Sequence, residues 1–217
     1  MERYVDIKEI SDGKLYGSND LVKADCGDCQ GCFDCCCGMG ESIVLDPLDA
    51  DRLSRGLGKT FEELLSENLE LNVVDGLILP NLKMAGEKEQ CYFLTKEGRC
   101  SIHSIRPGIC RRFPRGRFYE NGSFQYFLQV HECRKENRAK IKVKKWIDTP
   151  DIRKYEKFIN DWHYFLKDME RHTEQGLEYA KTVSMYILKQ FYYQPYNETE
   201  DFYEQFGKRL EAAKRLF

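Results

Sequence analysis

The chain has 217 residues, 41% hydrophobic and 32% charged, with a net charge of −2. That balance excludes a disordered polymer and leaves room for one or two modest domains with a real core. No apolar run approaches the roughly 20 residues of a membrane span, and the first ten residues, MERYVDIKEI, lack the apolar core of a signal peptide, so the expected location is the cytoplasm and no membrane partner is expected.

The first feature along the chain is CGDCQGCFDCCC, residues 26–37. It opens a set of ten cysteines: Cys26, Cys29, Cys32, Cys35, Cys36, Cys37, Cys91, Cys100, Cys110 and Cys133. In a reducing compartment clustered cysteine points to metal or catalysis rather than disulfides. Cys26, Cys29, Cys32 and Cys35 recur at every third position. Two cysteines three apart on a tight turn aim both sulfurs at one ion while nearby backbone N–H groups donate to them, in zinc and in iron–sulfur sites alike. Adjacent side chains normally diverge, so the run Cys35-Cys36-Cys37 suggests two coordination spheres rather than one. A closed tetrahedral zinc site or a cubane cluster takes four thiolates, and ten cysteines exceed that, so two sites, or one site with spare thiols, are expected.

After the cluster, Asp46-Pro47 reads as a helix start and Gly56 as its stop. Thr60 and Glu63 have capping-box spacing and open a short helix through Leu64 and Leu65. LNVVDGLILPNL reads as two strands around an Asp-Gly turn. CYFLTKEGRCSI reads as a hairpin turning near Lys96-Glu97-Gly98, which brings Cys91 and Cys100 to its open end. Cys110 falls in the turn-rich stretch RPGICRRFP. GRFYENGSFQYFLQV reads as a hairpin turning at Asn121-Gly122, and Cys133 follows it. Each downstream cysteine therefore lies at or near the end of an element, where ligands can converge. His103 and His131 lie near Cys100 and Cys133, but thiolates are already in surplus and neither histidine is needed.

Residues 99–117 hold six arginines and no acid, and residues 134–145 hold seven basic residues and one acid. Arg106, Arg111, Arg112, Arg115 and Arg117 have three readings: they offset the negative charge of thiolate–metal centres, bind an anion, or pair with the acidic remainder. Lys140 to Lys145 alternate with Ile141 and Val143, as a solvated strand face would. No nucleic-acid motif is present, and a nucleic-acid partner is not expected.

Thr149-Pro150 marks a border, with threonine as N-cap and proline in the first turn. Beyond it Ile152, Tyr155, Ile159, Trp162, Leu166 and Met169 follow helical spacing. A second helix carries Leu177, Ala180, Val183, Ile187 and Phe191. Asn197 and Glu200 then have capping-box spacing before a third helix that buries Phe202, Phe206, Leu210, Ala213 and Phe217. These aromatics read as helix packing, and His163 and His172 as surface or boundary residues. The expected fold is α+β: a small mixed cysteine-rich domain with short hairpins over residues 1–148, then a three-helix region over 149–217 packed on it.

The run C29QGCFDCC36, followed by C91YFL and GRCSIHSIRPGICRRFP, resembles the CxxCxxCC (YkgJ-type) cysteine-cluster family of zinc- or iron-chelating proteins. That family shows the cysteine cluster, a C-x-F-L segment, C-x-I-(H/Y)-x-x-R-P-x-x-C and a further cysteine. The resemblance covers roughly residues 26 to 133 and implies ligands at Cys29, Cys32, Cys35, Cys36, Cys91, Cys100, Cys110 and Cys133, enough for two four-thiolate sites. Cys26 extends the spacing as an alternative ligand, and Cys37, where the family often has a basic residue, is the spare thiol. The family is related by this cluster to flagellin lysine N-methylases. That relation implies methyl transfer from S-adenosylmethionine (SAM) and a flagellin-like substrate, but no glycine-rich strand–loop–helix signature supports it.

Three readings remain. The chain is a metal-binding protein holding an iron–sulfur cluster, iron or zinc, with thiol density favouring iron. Alternatively it is an enzyme, a SAM-dependent protein-lysine N-methylase or a redox enzyme using the cluster. Or it is a metal-folded interaction module that shows an arginine-rich surface to an acidic protein partner.

Overall fold

The computed structural model describes residues 6–25, 27, 32–133, 135 and 137–217. The fold is α+β, with short antiparallel pairs of strands and long C-terminal helices. The chain divides into two compact units: Met1–Gly40 with Met84–Arg153, and Glu41–Lys83 with Lys154–Phe217. Among the described residues no helix is long and apolar enough to cross a membrane.

The first unit carries the cysteines on short elements. Asp6 caps the single-turn helix α1 (Ile7–Ile10) by accepting from Lys8 N at 2.8 Å. Strand β1 (Leu21–Asp25) pairs antiparallel with β8 (Ala139–Lys142), burying Val22 and Ala24 and leaving Lys23 and Lys140 exposed. The alternating lysines expected as a strand face thus span only β8, since helix α5 (Val143–Ile147) begins at Val143. Strands β4 (Met84–Ala85) and β5 (Gln90–Cys91) form a minimal pair. Helix α4 (Gly108–Arg112) follows, then the hairpin β6 (Arg115–Glu120) and β7 (Ser123–Leu128). That hairpin turns at Asn121-Gly122 with φ of 51° and 75°, the double left-handed geometry a two-residue turn requires. Tyr16 exchanges two backbone hydrogen bonds with Tyr126, at 2.8 and 2.9 Å, and ties the N-terminal segment to β7.

The second unit joins residues 41–83 to the C-terminal helices. Helix α2 (Pro47–Leu57) opens on a capping box between Asp46 and Asp49. It runs through Gly56 and stops at Gly58, which takes φ of 64°. Helix α3 (Phe61–Glu67) opens on the capping box of Thr60 and Glu63. Strands β2 (Leu69–Val74) and β3 (Leu77–Leu82) turn at Asp75-Gly76, φ 49° and 82°. Residues 43–45 run along β3, with Leu45 N donating to Pro80 O at 2.8 Å and Leu82 N to Ile43 O at 3.1 Å.

Helix α6 (Ile152–Thr173) does not start at Pro150. Asp151 takes φ of 43°, which no right-handed helix can contain, so the first turn waits until Ile152. Helix α7 (Leu177–Leu188) widens into a π turn at Lys189–Tyr193, which carries the expected core residue Phe191. Asp201, rather than Asn197, caps α8 (Phe202–Leu216) by accepting from Glu204 N at 3.1 Å. Asn197 instead donates its side-chain amide to Glu200 at 2.9 Å, within the loop. The core of this unit is aromatic: Trp162 lies 5.6 Å from Phe165 and 5.0 Å from Phe191, and Phe158 meets Phe206 edge-on at 4.6 Å.

Candidate metal centre

Of the eight cysteines implied as ligands, seven are described; Cys29 lies outside the described residues, as does Cys26. Asp34–Cys36 forms a single 3-10 turn, closed by Cys36 N donating to Phe33 O at 2.8 Å. Cys37 then bridges to Gln90, and Gly38 N donates to Glu89 O at 3.0 Å. The cluster is thus stitched beside β5, whose last residue is Cys91.

The expected hairpin over 91–102 is reduced to one bridge, Leu94 with Cys100, around a turn in which Thr95 N donates to Arg99 O at 2.8 Å. Cys91 itself pairs with Met84 of β4. Gly98 supplies the left-handed residue, φ 71°, and the Phe33 ring covers it so closely that a Cβ there would come within 2.8 Å. Phe33 therefore clamps the cysteine cluster to the turn between Cys91 and Cys100.

Several thiols lie close enough to influence one another. Cys36 feels the charges of Cys35, Cys91 and Cys100, and Cys91 those of Cys100, Cys35 and Cys37. Separately, Cys32 feels Cys133. Cys110 is half-buried within α4. Among the described residues no three His, Cys, Asp or Glu side chains converge closely enough to hold an ion.

The donor chemistry fits a thiolate-bound metal. The backbone amides of Asp34, Phe93 and Ile102 act to lower the thiols of Cys32, Cys91 and Cys100 respectively. In every case the donor lies two residues downstream, the arrangement that stabilises a thiolate on a tight turn. Burial nevertheless leaves Cys91 and Cys100 raised, against those amides and, for Cys100, against Arg106 and Arg99. At Cys32 the Asp34 amide is the strongest influence and lowers the thiol, but burial and the Asp34 carboxylate leave it raised.

The adjacent thiols of Cys35 and Cys36 act on each other. That influence holds Cys35 below the usual thiol range, with burial opposing and Arg106 assisting. It pushes Cys36 far up, and burial and the neighbouring sulfurs add to the rise. Arg106 is the cation that reaches Cys35 and Cys100. Its Nη1 also donates to His103 O at 2.9 Å and lies 2.6 Å from the His103 ring Nε2, so that ring is turned to a guanidinium.

The arginine run stood out in the sequence, but spacing alone did not separate its members. Arg111 and Arg115 are both buried, and only the structure shows that their surroundings differ.

Residues 28–149 match the family model CxxCxxCC, described as "Putative zinc- or iron-chelating domain". No curated protein and no solved structure matches the chain.

Proposed function

The chain belongs to the CxxCxxCC family of zinc- or iron-chelating domains, and on that premise we propose a metal-binding protein with two thiolate-ligated centres. The first takes Cys35, Cys36, Cys91 and Cys100, whose side chains must draw together on binding, since among the described residues no three potential ligands converge on one point. The second takes Cys32 and Cys133, completed by Cys29 and Cys110 from the family pattern. The reading is supported by the family pattern, whose eight thiols are the number two four-thiolate sites need, and by the bridges that set Cys37 beside Gln90 and Cys100 beside Leu94. Four thiolates around a divalent ion carry net negative charge, which Arg106 and Arg99 partly offset beside Cys100. The density of thiols favours iron, as a cluster or as bound iron, over zinc. A bound cluster would supply one-electron chemistry, and zinc a structural crosslink. The reduced thiols this requires place the protein in the cytoplasm.

Anaerobic purification with metal analysis and a visible spectrum tests the reading. Cys36→Ser and Cys91→Ser are expected to lose one centre, and Cys32→Ser and Cys133→Ser the other. Loss of all metal from every one of the four variants, with the helices still folded, would sink the partition. A colourless protein with stoichiometric zinc would sink the preference for iron. Titrating S-adenosylmethionine into the same preparation tests the methylase relation.

A further inference from the structure

Two arginines four positions apart are buried in the same unit and treated in opposite ways. Arg111, in α4, commits its guanidinium to three carbonyl oxygens: Nε to Arg106 and Nη1 to Asp148, each at 3.0 Å, and Nη2 to Ser104. Arg115, the first residue of β6, is 1% exposed, yet among the described residues none of its Nε, Nη1 and Nη2 has a hydrogen-bond acceptor. Its guanidinium carbon lies 5.7 Å from the centroid of the Trp146 ring. The indole N–H of Trp146 is itself fixed, donating to Phe113 O at 2.9 Å.

Among the described residues, the titratable groups whose charge reaches Arg115 are the Tyr126 phenol and the Arg112 guanidinium, and neither is an anion at neutral pH. The hairpin register puts Arg115 and Arg117 on one face with Tyr126 and Leu128. The Arg117 guanidinium lies 5.5 Å from the Phe124 ring centroid. Alternation sends the hairpin's one acid, Glu120, to the opposite face. Within the hairpin itself, this face therefore holds two guanidinium groups and aromatic rings, with Glu120 on the other side.

An arginine cannot escape burial by losing its proton near neutral pH. A buried charge that lacks both counterion and hydrogen bonds is strongly unfavourable. We propose that Arg115 forms a site for a compact oxyanion, a phosphate or a carboxylate group. Two in-plane N–H donors of the guanidinium fork match two oxygens of either group. The Trp146 ring near the guanidinium offers it no hydrogen-bond acceptor. The site is separate from the thiols: no cysteine among the described residues contributes to the charge felt by Arg115.

The test compares wild type with Arg115→Met, both metal-loaded and full-length, by denaturant unfolding. Three buffers of equal ionic strength supply chloride, phosphate or acetate. In chloride the variant is expected to equal or exceed wild type, because an uncompensated charge has been removed. In phosphate or acetate wild type gains a saturable rise in midpoint that Arg115→Met lacks, so the order of the two proteins reverses. Reversal in phosphate alone identifies a phosphate group, in acetate alone a carboxylate, and in both an unselective oxyanion pocket. Ion chromatography of desalted, acid-denatured protein covers an anion that never leaves and is expected to find about one per wild-type chain. No reversal, together with no released anion, overturns the proposal. Metal content measured in parallel is expected to be unchanged, which separates this outcome from failure of the thiolate centres.

Discussion

Among the described residues, ten apolar side chains are buried in the unit that carries the cysteines and twenty-seven in the other, although the two are nearly equal in length. The second unit is held in the ordinary way, by aromatic and aliphatic burial between long helices. The first has two-stranded ribbons, single-turn helices and polar staples such as Arg111. Burial at roughly 25 cal/mol per Å² then leaves little to set against the entropy of ordering its chain. A unit so built is stabilised by crosslinks, and thiolate–metal bonds are the crosslinks its composition offers. Metal removal is therefore expected to have the largest effect. Structural zinc contributes on the order of 10 kcal/mol or more to small domains. With metal stripped by chelator, hydrogen exchange should show β6 and β7 losing amide protection while α6, α7 and α8 keep theirs. Equal loss in both units would erase the contrast.

The same comparison sets the expected cost of single substitutions. Phe165 is buried against Trp162 and Phe191, with ring centroids 5.6 and 5.5 Å away. Phe165→Ala should cost about 3–5 kcal/mol and leave metal content untouched. In the cysteine unit a polar residue has comparable weight. Arg111→Met leaves three carbonyls without their donor and should cost about 2–4 kcal/mol. Urea unfolding of both metal-loaded variants checks this, and a neutral Arg111→Met would show that the staple contributes nothing.

Local chemistry was legible in the sequence wherever one or two residues dictate the backbone. Asp75-Gly76 and Asn121-Gly122 turn as their identities demand, and Thr60 with Glu63 caps α3. What stayed hidden depends on partners far along the chain. The pairing of β1 with β8 joins residues more than a hundred positions apart, and each strand is too short to show alternation. Asp151 in the left-handed region displaced a helix start that Thr149-Pro150 advertised. Residues 41–83 group with the C-terminal helices because β3 lies along α7, where Ile78 N donates to Ser184 Oγ at 3.1 Å. The spacing of the cysteines pointed to Cys91 and Cys100 as neighbours of the cluster. It could not show which way the Cys35 and Cys36 thiols would push each other. Nor could the run from Arg111 to Arg115 reveal which guanidinium finds carbonyls, since that depends on where Ser104, Arg106 and Asp148 arrive.

The smallest effect sharpens the contrast from the polar side. Tyr16, in the cysteine unit, donates to Asp12 Oδ2 at 2.5 Å. Burial first, and then the Asp12 carboxylate, push its phenol up to about 12. A tyrosine in the unfolded chain ionises near 10. The folded protein therefore holds this proton after the unfolded chain has released it, and the stabilisation is fully present below about pH 10. It fades as pH rises from about 10 to about 12. Tyr16→Phe removes the titrating group, so the variant should lose less stability than wild type across that window. The alkaline limb of an unfolding midpoint plotted against pH measures the difference. Matching limbs would mean that the Tyr16–Asp12 contact is too open to water to matter, and that the first unit owes still more of its stability to metal.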